Sequence, residues 1–176
     1  LIYKRRKQLC NFSMQFFKDF YKYDDIIEAP EYGSTEYEQE NKRVEILGKQ
    51  YDDYLKGIKK HLPRNFFDVY YKYSQFQDWD LTVLNFDHTV YNHPTVTMLL
   101  THPNYKEQIK LEYINIKSFY VDLQSRYFHD YLSGKPGLVG VNEFMYENDC
   151  LTHEIYFCST ESLKITYKKL KITVSK

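Results

Sequence analysis

Apolar positions fall into two rhythms along this chain, and the change between them divides it. Phe12, Phe16, Phe17 and Phe20 recur at spacings of three and four, which places them on one side of a helix over 11–23. Pro30 and Gly33 mark a connector. A second helical stripe follows over 36–62, through Val44, Leu47, Tyr51, Tyr54 or Leu55, and Ile58. Gly48 and Gly57 weaken that helix by about 1 kcal/mol each against Ala, so a break within it is an option. Pro63 ends it, and Phe66, Phe67, Tyr70 and Tyr71 predict a short third helix over 65–73.

At Gln77 the period becomes two. Trp79, Leu81 and Val83 alternate with Asp80, Thr82 and Leu84, predicting a strand over 77–86. Further strands are predicted over 95–101, 105–116, 118–123, 141–146, 152–158 and 163–167, the last leading on to Ile172 and Val174. Turns separate them at 91–94, 102–104 and 159–162, and the glycines and proline of 134–140 mark a loop. Helices first, then six or seven short strands without βαβ spacing, define an α+β fold with a mostly antiparallel sheet. The two-residue rhythm argues against a sheet buried on both faces. The expected organisation is a helical region over 1–75 packing on a sheet domain over 76–176. A curved sheet and one curling into a barrel remain alternatives at this point.

Charge changes the picture by its distribution, because the total of 24 basic and 24 acidic residues cancels. Residues 1–22 carry six basic side chains against Asp19. Residues 23–45 carry eight acidic side chains against Lys42 and Arg43, and residues 159–176 carry five Lys against Glu161. The cancelled total argues against nucleic acid as the main ligand. No apolar run reaches the roughly 20 residues of a bilayer-spanning helix. The start of the chain has no continuous apolar stretch that would read as a signal peptide, and Cys10, Cys150 and Cys158 make no disulfide framework. A cytoplasmic location is the expectation. The 19 Tyr and 12 Phe suit half-buried positions between helices and sheet, with a Tyr-rich recognition face as the other reading, since Tyr is enriched at interface centres.

Candidate chemistry is sparse. His61, His88, His93, His102, His129 and His153 form no HExxH or Cys/His cluster, so no metal and no cofactor is expected. Asp87, His88 and His93 form one local group, and His129, Asp130, His153 and Glu154 another that only folding could unite. Cys150 and His153 are three apart, which on a strand directs them to opposite faces. Asp78 and Asp80 share a strand face, but a glycosidase pair must face across a cleft. The run Gly134-Lys135-Pro136-Gly137-Leu138-Val139-Gly140 is not a phosphate loop. Basic runs at 4–7 and at Lys164, Lys168, Lys169 and Lys171 would serve nucleic acid only weakly.

Three stretches carry a family resemblance: Phe76-Gln77-Asp78-Trp79-Asp80-Leu81, the run from Lys110 to Phe119, and Leu151 to Phe157 followed by Leu163 to Tyr167. Over about Pro63 to Val174 they resemble a bacterial family in which a helical region precedes a sheet domain like that of immunity proteins in contact-dependent or polymorphic toxin systems. Gln77 stands where that pattern has His, so only Asp78 carries over. The resemblance implies a protein that binds and neutralises a toxin.

The expected function is therefore a non-enzymatic protein-interaction module acting through an aromatic and acidic surface. Asp24, Asp25, Glu28, Glu31, Tyr32, Glu36, Tyr37, Asp78 and Trp79 are its candidate contact residues. A protein partner is expected, with a homodimer as a further option. A small hydrolase or metal-dependent enzyme using the His and Asp residues is the alternative, and a weak nucleic-acid-binding protein the next.

Overall fold

The computed structural model describes residues 33–89, 93–122, 138–157 and 162–176. The first predicted helix, over 11–23, lies outside them. The fold is α+β, with two helices followed by a six-stranded antiparallel sheet. The chain divides into two units, Leu1–Gly57 and Ile58–Lys176.

In the first unit, α1 spans Thr35–Gly57. Ser34 starts it by accepting the Tyr37 backbone N–H on Oγ at 3.1 Å, as an N-cap hydroxyl does. The predicted stripe is the buried one: Tyr51 and Leu55 are fully buried, and Val44 and Leu47 half-buried. The helix stops at Gly57, five residues earlier than the predicted end at 62, and a 3-10 turn at Lys59–His61 takes over. Gly57 has the poorest helix propensity short of proline, which accounts for the early stop.

The second unit begins with that turn, then α2 (Phe66–Lys72), and then a left-handed turn at Ser74–Phe76. The six strands are β1 (Asp80–Asp87), β2 (Thr95–Thr101), β3 (Gln108–Asp122), β4 (Val139–Glu147), β5 (Cys150–Phe157) and β6 (Ser162–Ser175). Their order in the sheet is β1-β2-β3-β6-β5-β4, with every neighbouring pair antiparallel. Two three-stranded meanders thus meet along their longest strands, β3 and β6. The outer strands also meet at one point. Asp80 bridges Leu138, and Val139 exchanges backbone hydrogen bonds with Asp78 and Trp79, each at 2.9 Å. The sheet is therefore curved, as expected, far enough for its two edges to be clasped at one end.

Alternation fills the interior. Val96, Met98 and Leu100 of β2, Ile109, Leu111 and Tyr113 of β3, Phe144 of β4, Leu151 and Ile155 of β5, and Leu163, Ile165 and Tyr167 of β6 are buried. Each aliphatic side chain among them contributes about 1.5–3 kcal/mol by leaving water. The two strands predicted over 105–116 and 118–123 are one strand, β3, whose register shifts between Ile116 and Ser118. Asn115 there has φ 58°, and on β6 the buried positions switch from odd to even between Tyr167 and Leu170. Such bulges bend long strands, which period counting reads as two short ones. Gly140 lies in β4 rather than in the predicted loop. Asn148 and Asp149, both at positive φ, form the two-residue turn between β4 and β5.

Candidate functional site

Two aromatic assemblies are built on the second unit. One plugs the sheet: Phe66 and Tyr70 of α2 stack at 4.9 Å and meet the Phe144 ring edge-on at 5.0 and 5.7 Å. Asn65, just before α2, donates from Nδ2 to the Ile172 carbonyl at 3.1 Å, and His61 stacks on Tyr146 at 3.6 Å.

The other assembly reaches the surface beside the clasp. Trp79 is fully buried and stacks under Tyr105 at 5.3 Å and 23°. Tyr73 meets both rings edge-on at 5.2 and 5.4 Å, and His102 lies 5.4 Å from Trp79 and 5.0 Å from Tyr105. Tyr73 is buried, whereas Tyr105 is 37% exposed. The Trp79 indole N–H is buried without a hydrogen-bond partner among the described residues, a state that costs about 1–3 kcal/mol. Asp78 is exposed and Asp80 half-exposed on either side of Trp79 in the chain. Local backbone sets this up. Ser74, Gln75, Phe76 and Asp78 have φ of 51°, 58°, 62° and 62°, a left-handed passage that turns the chain from α2 into β1.

A buried polar chain supports that passage. Asn142 donates from Nδ2 to the Gln75 carbonyl at 2.7 Å, so its Oδ1 is the acceptor for His153 Nε2 at 3.2 Å. Nε2 must then carry the proton, and Nδ1 accepts from the Tyr113 hydroxyl at 2.6 Å. Phe144 stacks on the imidazole at 3.7 Å. Burial pushes the His153 pKa well down and those of Tyr113 and Tyr167 well up, holding all three neutral. On the opposite face of the same strands, Glu143 pairs in register with Glu154, and Glu154 with Lys164. Both carboxylates are fully buried, and Lys164 Nζ forms an ion pair with Glu154 Oε1.

Of the residues singled out from sequence, Asp78 and Trp79 are brought into the surface assembly. Asp24, Asp25, Glu28, Glu31 and Tyr32 lie outside the described residues, as does His129. Glu36 falls in the first turn of α1, and Tyr37 is half-buried there. The His and Asp groups weighed for catalysis take separate partners. His153 is enclosed in the polar chain, His93 Nδ1 lies 2.6 Å from Asn115 Oδ1, and exposed Asp87 accepts the Thr89 N–H at 2.8 Å. Among the described residues no group of three or more His, Cys, Asp or Glu is placed to hold a metal ion, and no helix is long and apolar enough to cross a membrane. Tyr105 and His102 were missed in sequence because each sits at a loop position. The signal available was the His102-Pro103-Asn104 turn, which sets Tyr105 back toward the strand it follows.

The chain is thus an α+β protein with a clasped antiparallel sheet and a surface aromatic assembly. No family model matches it, and no curated protein does. Among solved structures it is similar to an uncharacterised protein from Neisseria gonorrhoeae, at 18% identity and a TM-score of 0.44, over 55% of this chain and 91% of that one.

Proposed function

We propose that this protein is a non-enzymatic interaction module that binds a protein partner through an aromatic and acidic surface. The observation that carries this reading is the stack of exposed Tyr105 on buried Trp79, with Asp78 and Asp80 on either side of Trp79 in the chain. A rigid aromatic anchor over a fully packed second ring has the character of an interface hot spot. The acidic run of 23–45 supplies long-range attraction to a basic partner. In its finer form the reading is a cytoplasmic immunity protein that neutralises a toxin, as the resemblance of the sheet strands implies.

Trp79 is the sole Trp of the chain, so its fluorescence reports on this surface directly. The partner is first captured from native lysate. Titrating it into the protein is then expected to shift Trp79 emission, with Tyr105→Ala weakening binding by about tenfold or more. Binding unchanged by Tyr105→Ala and by Asp78→Lys sinks the proposed surface. For the immunity form, expression of the captured partner alone is expected to arrest growth and co-expression of this chain to restore it.

A further inference from the structure

The two edges of the sheet are finished differently. Along β4, Asn142 to Met145 are buried on both faces, and Phe66, Tyr70 and the Gln75 carbonyl lie against them. Along β1, beyond the bridge at Asp80, no described strand pairs with the outer side. From Thr82 to Asp87 every side chain of β1 is exposed. Edge strands are ordinarily blunted by Pro, Lys, an inward charge or a bulge; Leu81-Thr82-Val83-Leu84-Asn85-Phe86 has no Pro and no charge, and its one irregularity lies at its start, between Leu81 and Val83. The register shift between Leu81 and Val83 sets Leu84 and Phe86 opposite Met98 and Val96, which are fully buried. Leu84 and Phe86 thus belong to the core face of the sheet, yet they are 40% and 48% exposed. Phe86 reaches Phe119 of β3 at 6.1 Å, so the uncovered apolar strip crosses from the edge into the sheet.

Charge indicates what would cover it. The only ionised side chains of β1 are Asp80 and Asp87. A second copy laid antiparallel on this edge would add only more carboxylates to the seam. An extended strand carrying Lys or Arg would neutralise them. We propose that the outer edge of β1 accepts an extended segment of a partner protein as an additional strand, apolar at alternate positions and basic at its ends. Main-chain hydrogen bonds hold the segment, its apolar side chains cover Leu84, Phe86 and Phe119, and Asp87 selects its charge. This surface shares only Asp80 with the Tyr105 assembly, and its test does not depend on that reading.

The test uses the full chain and two capped, dye-labelled peptides, Lys-Thr-Val-Thr-Val-Thr-Lys and its Glu-ended counterpart, read by fluorescence anisotropy. The Lys-ended peptide is expected to bind about three- to fivefold more tightly at low salt, with the preference fading near ~0.5 M salt. Asp87→Lys should reverse the preference. Leu84→Lys should weaken both peptides by about tenfold, as an inward edge charge opposes strand addition. Both positions are exposed, so the variants should keep the wild-type unfolding midpoint. Binding of neither peptide, or binding indifferent to both substitutions, overturns the proposal. So does a concentration-dependent dimer of the peptide-free protein, seen by sedimentation and dissolved by Leu84→Lys, because the edge would then belong to a second copy.

Discussion

Protonation of His153 would set a charge in the sheet interior and deprive Tyr113 of its acceptor, so this residue ties stability to pH. Its folded pKa is held below the ordinary value of about 6.5 by burial, so the unfolded chain binds the proton more readily. The stability it contributes is therefore present above pH ~6.5 and is lost as pH falls through that value. The limiting slope is about 1.4 kcal/mol per pH unit. Tyr113 and Tyr167 act at the other end. Their pKa values are raised by burial, so their contribution is complete below pH ~10 and is lost as pH rises further. Urea midpoints measured from pH 5 to 8 should fall on the acid side, and a His153→Gln variant should flatten that arm. An unchanged acid arm in the variant would assign the dependence elsewhere. The burial of His153 was legible in the alternation Leu151, His153, Ile155, Phe157. Its partners were not, because Tyr113 and Asn142 arrive from other strands through a register that no local pattern encodes.

Among the elements, the turn between α2 and β1 holds the most backbone strain. Three consecutive non-glycine residues at positive φ cost about 1–2 kcal/mol each. Gln75 is exposed and offers the network only its carbonyl, which glycine keeps. Gln75→Gly should therefore stabilise the protein by about 0.5–1 kcal/mol, seen as a rise of roughly 2 °C in Tm; a fall would show that the side chain matters. The strand ladder β4-β5-β6 makes the opposite kind of demand. Lys164→Met removes the cation paired with fully buried Glu154 and should cost about 3 kcal/mol in denaturant unfolding. A loss below ~1 kcal/mol would mean that other groups already compensate the carboxylate. Among the described residues, helices and strands were placed well from periodicity because half-buried elements must alternate. The left-handed turn escaped notice because Ser74-Gln75-Phe76 contains no Gly or Asn to announce it. Burial of Glu143 and Glu154 also escaped, since charged positions on a strand read as its solvent face.

At the scale of the sheet unit, each meander is local in sequence, but the β3–β6 seam and the Val139 clasp join distant residues. Gln108 pairs with Ser175, and Asp78 with Val139. Non-local closure of this kind slows folding, so refolding in stopped flow is expected on the millisecond-to-second scale and not in microseconds. A sub-millisecond main phase would count against the seam as the late step. Sequence order alone left the seam hidden, because two meanders can dock by either pair of edges, and only the greater length of β3 and β6 favours this one. The buried polar chain also gives the molecule a clock. The hydrogen on His153 Nε2 is shared with Asn142 inside the sheet, where the residue is 1% exposed. Deuterium replaces that hydrogen when the sheet interior opens to solvent around the His153 ring. Its signal in a proton NMR spectrum, fading over time in heavy water, would give the rate at which the population opens its interior to solvent.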